Sequence, residues 1–164
     1  MKRLALLAFA AVTGLGACGT DPVQLAGNYT VGVTNRDNGC NFANWTTGAM
    51  TSGVGVAITQ NGSSATANLT GGIGAYFDFA FGSSSFTGAV DGTMFDLTLQ
   101  GTRPQTTGNC TFTYDGEIIG TSNGDIITGR INYTAADNGH TDCLSMNIHG
   151  CVTYQDYNGS RPPP

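Results

Sequence analysis

Val54-Gly55-Val56-Ala57-Ile58-Thr59-Gln60-Asn61-Gly62-Ser63-Ser64-Ala65-Thr66-Ala67-Asn68-Leu69 decides the fold class. Val54, Val56 and Ile58 alternate with small or polar residues, the period-two pattern of a strand with one buried face. Asn61-Gly62 turns the chain, because both positions tolerate the positive φ of a tight hairpin. Ala65, Ala67 and Leu69 then run back. The same pattern extends in both directions. Upstream, Tyr29, Val31 and Val33 alternate with Thr30, Gly32 and Thr34, and a polar loop over residues 35–44 carries Cys40. Trp45, the only tryptophan, stands at the end of that loop.

Downstream, Phe77, Phe79 and Phe81 fall on one face of what reads as an aromatic strand. Phe86, Gly88 and Val90 follow, then Phe95, Leu97 and Leu99 after Asp91-Gly92. A long polar loop, residues 101–109, contains Pro104. Phe112, Tyr114 and Ile118 lead to the Asn123-Gly124 turn, and Ile127, Ile131 and Tyr133 lead away from it. Val152 and Tyr154 suggest a short last strand. Asn-Gly at 38, 61, 123, 138 and 158 is read as five turns. No helical spacing is read after Ala17. Eight or nine short strands with mostly hairpin-length links predict an all-β, antiparallel up-and-down β-barrel of about eight strands, since closure removes exposed edges. A β-sandwich is the alternative. Val56, Ile58, Phe77, Phe79, Phe81, Phe95 and Leu97 should point inward. Small inward residues (Ala65, Ala67, Gly88) either tighten the interior or leave room in it.

The N-terminus has a different character. Lys2 and Arg3 precede an apolar run over residues 4–12, a secretory-signal pattern too short to span a bilayer. Leu15-Gly16-Ala17-Cys18 resembles the lipobox of bacterial lipoproteins. That resemblance implies cleavage before Cys18 and acylation of its thiol by chains of the palmitate kind. It divides the chain into a signal peptide (1–17), a lipidated tether (18–26), one barrel domain (27–161) and a proline tail (162–164). Gly19 is not the Asp that resembles an inner-membrane retention signal, which points to the outer membrane, with its periplasmic or surface face left open.

Loss of Lys2 and Arg3 would leave Arg36, Arg103, Arg130 and Arg161 against 11 acids. No basic patch exists for nucleic acid or for anionic lipid. The membrane partner is therefore expected only through Cys18. In an oxidising compartment Cys40, Cys110, Cys143 and Cys151 should form two disulfides. Of three pairings, Cys143–Cys151 with Cys40–Cys110 is expected, because the first pair is close in sequence and flanks a turn-like stretch. Zinc spacings are absent, and neither metal nor cofactor is expected.

Gly27-Asn28-Tyr29 resembles the Gly-x-Trp opening of lipocalin and avidin-like (calycin) barrels, with Tyr in place of Trp. The resemblance implies that a basic residue from the last strand packs on the aromatic ring and closes the barrel floor. Arg161 is the candidate by chain order, Arg130 the second. No ligand residues carry over.

Candidate chemistry is sparse. Asp137-Asn138-Gly139-His140-Thr141-Asp142 reads as a solvated turn tied down by Cys143 rather than a metal or acid–base site. Asp78 is expected in solvent, and Asp115 and Glu117 share an exposed face. No G-x-S-x-G elbow occurs, so an enzyme of unrecognised class ranks last. The leading expectation is a non-enzymatic binding or envelope module. Phe77, Phe79, Phe81, Phe95 and Leu97 would line a cavity for a small apolar ligand. The alternative is a structural surface lipoprotein with a solid core, whose Thr/Asn face contacts glycans or proteins.

Overall fold

The computed structural model describes residues 21–162. The signal segment, Cys18 and Gly19 lie outside the described residues, as do Pro163 and Pro164. The elements are β1 (Gly27–Asn38), β2 (Met50–Asn61), β3 (Ser64–Leu69), α1 (Gly71–Ala80), β4 (Ser85–Asp91), β5 (Met94–Leu99), β6 (Gln105–Thr107), β7 (Cys110–Ser122), β8 (Ile126–Asp137), α2 (Thr141–Ser145) and β9 (Val152–Ser160).

Each barrel strand pairs antiparallel with its neighbour in the chain, from β1 to β5. β5 then pairs with β7, β7 with β8, β8 with β9, and β9 returns to β1. The result is a closed eight-stranded up-and-down barrel. The ninth strand, β6, pairs with the first residues of β7, beyond the stretch covered by β5. A sandwich is excluded by the two closing ladders.

The two ends of the barrel differ. At the floor, short turns around Gly62, Gly92 and Gly124 join β2–β3, β4–β5 and β7–β8, and all three glycines have positive φ. At the mouth lie four longer connections: residues 39–49, 70–84, 100–109 and 138–151. The floor is closed by Val23, Leu25 and Arg161. Arg161 lies with its guanidinium carbon 5.8 Å from the centre of the Tyr29 ring, as the Gly-Asn-Tyr opening suggested. It also pairs with Asp125 at 3.1 Å and donates to the Ala26 carbonyl.

Val23 and Leu25, within the segment expected as a tether, are part of this floor. Leu25 is completely buried, its N–H donates to Gln60 Oε1, and the Val23 N–H donates to the Gly92 carbonyl. A leucine beside an open apolar barrel end gains more by insertion than by remaining in solvent.

The largest departure from the strand reading is α1. Ile73, Phe77 and Phe81 recur at intervals of four, one helical face, which competes with the period-two reading of Phe77, Phe79 and Phe81. The helix wins. Phe77 and Phe81 are buried and stacked at 4.7 Å, whereas Phe79 is 70% exposed. Gly74 lets the first turn press onto the end of β3, where any Cβ would collide with the Leu69 carbonyl.

β9 also departs from expectation. Val152 and Tyr154 do not face the core; the buried positions are Thr153, Tyr157 and Gly159. Asn158-Gly159 is therefore strand, not turn. Asn38-Gly39 ends β1 beside Val152, and Asn138-Gly139 leads into α2. The other two Asn-Gly pairs are hairpin turns.

Gly88, expected inward, is exposed on β4, and it is two glycines of β7 that resolve whether small residues leave room. A Cβ on Gly116 would stand 2.8 Å from the Phe86 ring, and one on Gly120 would meet Phe95 and the Tyr157 hydroxyl. Large rings from facing or neighbouring strands occupy the space that glycine vacates, which tightens the barrel.

Both disulfides differ from the expected pairing. Cys40 joins Cys151, and Cys110 joins Cys143. Although Cys143 and Cys151 are close in sequence, α2 places Cys143 against the start of β7. Cys151 precedes β9, which runs beside β1 and its trailing Cys40. Adjacency in the sheet outweighed adjacency in sequence.

Candidate functional site

The barrel lumen does not form a ligand chamber. Its remaining void is about 40 Å³ and is lined by apolar side chains with Tyr157, among them Phe95, Leu97, Val56 and Ile58. Ligand pockets begin near ~300 Å³, and an apolar void of this size stays dry. The expected cavity set therefore splits. Phe95 and Leu97 face the small void, Phe77 and Phe81 do not line it but form a buried cap at the base of the mouth cleft, and Phe79 stands outside on the rim.

Above that cap, at the mouth, lies a cleft of about 620 Å³. One wall is the β1–β2 loop. The Asn38 side chain clamps Phe42, accepting from its N–H at 2.8 Å and donating to its carbonyl at 3.0 Å. Trp45 is fixed by its Nε1–H, which donates to the Arg36 carbonyl at 2.9 Å. The Phe42 ring packs edge-on against Tyr114 at 4.8 Å and against Tyr133 at 5.7 Å.

The other wall is α1, which presents Ile73, Tyr76 and Phe79. The loop at residues 100–104 hangs from its end. The Thr102 and Arg103 N–H groups donate to the Phe81 carbonyl, and the Arg103 guanidinium lies 5.4 Å from the Phe79 ring centre. The base holds Tyr114, Tyr133 and Gln155. Tyr133 donates to Gln155 Oε1 at 2.8 Å, and Gln155 donates to Asn35 at 2.7 Å.

Burial pushes the Tyr114 and Tyr133 phenols above their ordinary range, and nearby Tyr76 adds to both shifts. Burial likewise raises Tyr29, opposed by the Arg161 charge, and raises Tyr157. A raised folded-state pKa makes the protonated phenol part of stability. That contribution is intact below the ordinary value of 10.0 and is lost as pH rises above it. Alkaline unfolding should therefore set in above about pH 10. Phenolate absorbance from these tyrosines should appear together with loss of β-sheet circular dichroism. Phenolate formation well before unfolding would contradict their burial.

The other sequence candidates lie elsewhere. His140 and Asp142 are 3.3 Å apart, and His149 and Asp137 are 3.0 Å apart, both in the α2 region beside the Cys110–Cys143 bridge. The Asn109 N–H bond holds the Asp142 carboxyl below its usual range, with His140 contributing. These contacts brace the loop. Among the described residues, no three His, Cys, Asp or Glu side chains stand where they could share a metal ion. Asp115 accepts from the Gly101 N–H and Glu117 from Asn132, so both are engaged on the outer wall. Asp78 is exposed on α1.

A larger depression of about 780 Å³ runs along the outside of the barrel near Met94, Ile119 and Arg130. It is an open groove between strand side chains. Its Asp156 is already held by Arg36 at 2.7 Å and Arg130 at 3.2 Å. The mouth cleft, with walls on two sides and convergent polar groups, is the better site. Strand patterning could not reveal it, since Arg103, Gln105 and Gln155 have no periodic signature. The available signal was Asn41-Phe42-Ala43-Asn44-Trp45, two large aromatics in an otherwise polar loop.

No family model, curated protein or solved structure matches the chain.

Proposed function

We propose that this chain is a lipoprotein anchored to the bacterial outer membrane through Cys18, and that its small lipocalin-like barrel is a non-enzymatic binding module. The ligand is taken at the mouth, not in the lumen. The observation that carries the binding reading is the aromatic-walled cleft of about 620 Å³ above a filled interior. The anchor reading rests on the Leu15-Gly16-Ala17-Cys18 boundary and its basic, apolar leader. The described chain enters at the floor, where Val23 and Leu25 are bound. An anchor at Cys18 would therefore be at most about 20 Å from the floor by extended chain length. The mouth would then face away from the membrane.

The filled interior also suits a structural envelope protein without a small ligand, so the test must separate the two. Mass analysis of the native protein should find residues 1–17 removed and Cys18 acylated. Trp45, the only tryptophan, reports directly on the cleft wall. Its emission should change saturably with at least one member of a panel of an apolar dye and neutral and acidic oligosaccharides. A flat response to the whole panel would leave the structural reading, and an unmodified Cys18 in a soluble native protein would remove the anchor.

A further inference from the structure

The mouth has an unusual donor balance. Among the described residues, Arg36 and Arg130 share Asp156, and Arg161 is paired with Asp125. Arg103 alone of the four arginines among the described residues has no carboxylate there within ion-pair reach. It stands at the cleft rim, in a chain whose acids outnumber its bases, 11 to 6.

Among the described residues, no Asp or Glu lines the cleft. Its position over Phe79 orients the Arg103 guanidinium against an apolar surface. A guanidinium held over a ring by cation–π attraction keeps N–H donors that can fork onto two oxygens. Tyr114, only 9% exposed, lines the same cleft, and its hydroxyl bonds to no group among the described residues. Tyr76 stands beside it, 58% exposed. The cleft therefore offers a cation and hydroxyl donors between the aromatic walls of Phe42, Trp45 and Phe79.

Resting on the mouth-binding reading, we propose that the cleft takes a carboxylate carried on a ring. The ring packs against the aromatic walls, and its carboxylate is held by Arg103 with tyrosine hydroxyls as further donors. Two sources share this chemistry: a uronic-acid unit of a saccharide, whose pyranose has an apolar face, and a simple aromatic acid. A neutral sugar would satisfy the walls but leave Arg103 without its counter-charge.

The test is calorimetric titration of the native mature protein with trigalacturonate, neutral galactotriose and benzoate, alongside Trp45 emission with the same probes. Trigalacturonate or benzoate should bind at least about tenfold more tightly than galactotriose, the scale of one charge-assisted bond. Whichever carboxylate binds identifies the source. Arg103→Gln should remove that advantage, so that the carboxylate binds no more tightly than galactotriose, whereas Arg103→Lys should restore part of it. Rising salt should weaken the carboxylate selectively in the unmodified protein, which provides a test even if the variants fold poorly. Equal binding of charged and neutral probes, or an advantage that survives Arg103→Gln, overturns this proposal. Binding of galactotriose or the apolar dye but of no carboxylate overturns it while sparing the mouth reading. Silence from every probe overturns both.

Discussion

Phe86→Ala should lower the unfolding free energy by about 3–5 kcal/mol, whereas Phe79→Ala should change it by at most ~0.5 kcal/mol. Phe86 is 1% exposed on β4. Its ring occupies the volume that Gly116 leaves on β7, and its centre lies 6.1 Å from that of Phe77 in the cap. Truncation would open a cavity facing a glycine, which has no side chain to refill it. Phe79 occupies the solvent side of α1, where its recorded ring contact is with Arg103. Urea denaturation of the two variants, compared at equal m-value, measures the difference. A large loss for Phe79→Ala would restore the strand reading of residues 75–81 and refute α1 as described. The same variant should weaken ligand uptake at the mouth, which separates its two roles.

The contrast between these phenylalanines marks how far the sequence can be read. Where a hairpin was bounded by a tight turn, period two located the strand and its buried face. Val56, Ile58, Ala65 and Ala67 are all buried around Asn61-Gly62. That is local information, since pleat and turn chemistry act over a few residues. Residues 71–81 satisfied two periods at once. Ile73, Phe77 and Phe81 belong to both, and only Phe79, exposed in the helix, could break the tie. The deciding term was tertiary: the barrel mouth needed a cap, and a ten-residue helix with its C-cap residue Phe81 supplies two stacked rings on one face.

The phase of β9 was hidden for a similar reason. Val152 and Tyr154 are its more apolar residues, yet they are not the ones turned to the core. The inward row includes Thr153, which accepts from the Cys40 N–H at 2.9 Å and donates to Asn38 at 3.2 Å, and Gly159, whose missing side chain makes room for Val31 and Ile127. A buried threonine is legible only once its partners are known. The mouth cleft is less legible still. Its walls come from residues 41–45, α1 and the loop before β6, segments brought together by barrel closure alone. The Tyr29–Arg161 contact at the floor was anticipated from a three-residue motif and chain order, because the start of β1 meets the end of β9 where the two strands pair.

Replacing Cys40 and Cys151 together by Ala should cost about 5 kcal/mol, and replacing Cys110 and Cys143 about 4 kcal/mol, by the entropy that each bridge removes from the unfolded chain. The first bridge closes a separation of 111 residues and the second one of 33. The logarithmic dependence on loop length makes the difference only about 1 kcal/mol despite the threefold ratio. Their functional effects should diverge far more. Cys40 leads directly into Asn41, Phe42 and Trp45, so its bridge to Cys151 anchors one wall of the mouth to the start of β9. Cys110–Cys143 ties α2 to β7 and bounds no part of the cleft. Loss of the first bridge should therefore loosen Trp45, broaden and red-shift its emission, and weaken mouth binding under conditions where the barrel is still folded. Loss of the second should lower the denaturation midpoint and leave Trp45 emission and binding in place. Non-reducing peptide mapping must first find Cys40 linked to Cys151 and Cys110 to Cys143. A Cys143–Cys151 peptide would refute the arrangement, as would equal effects of the two double variants on Trp45. Either result would separate the β1–β2 loop from the register of β9, and the cleft would lose the wall on which its ligand is proposed to rest.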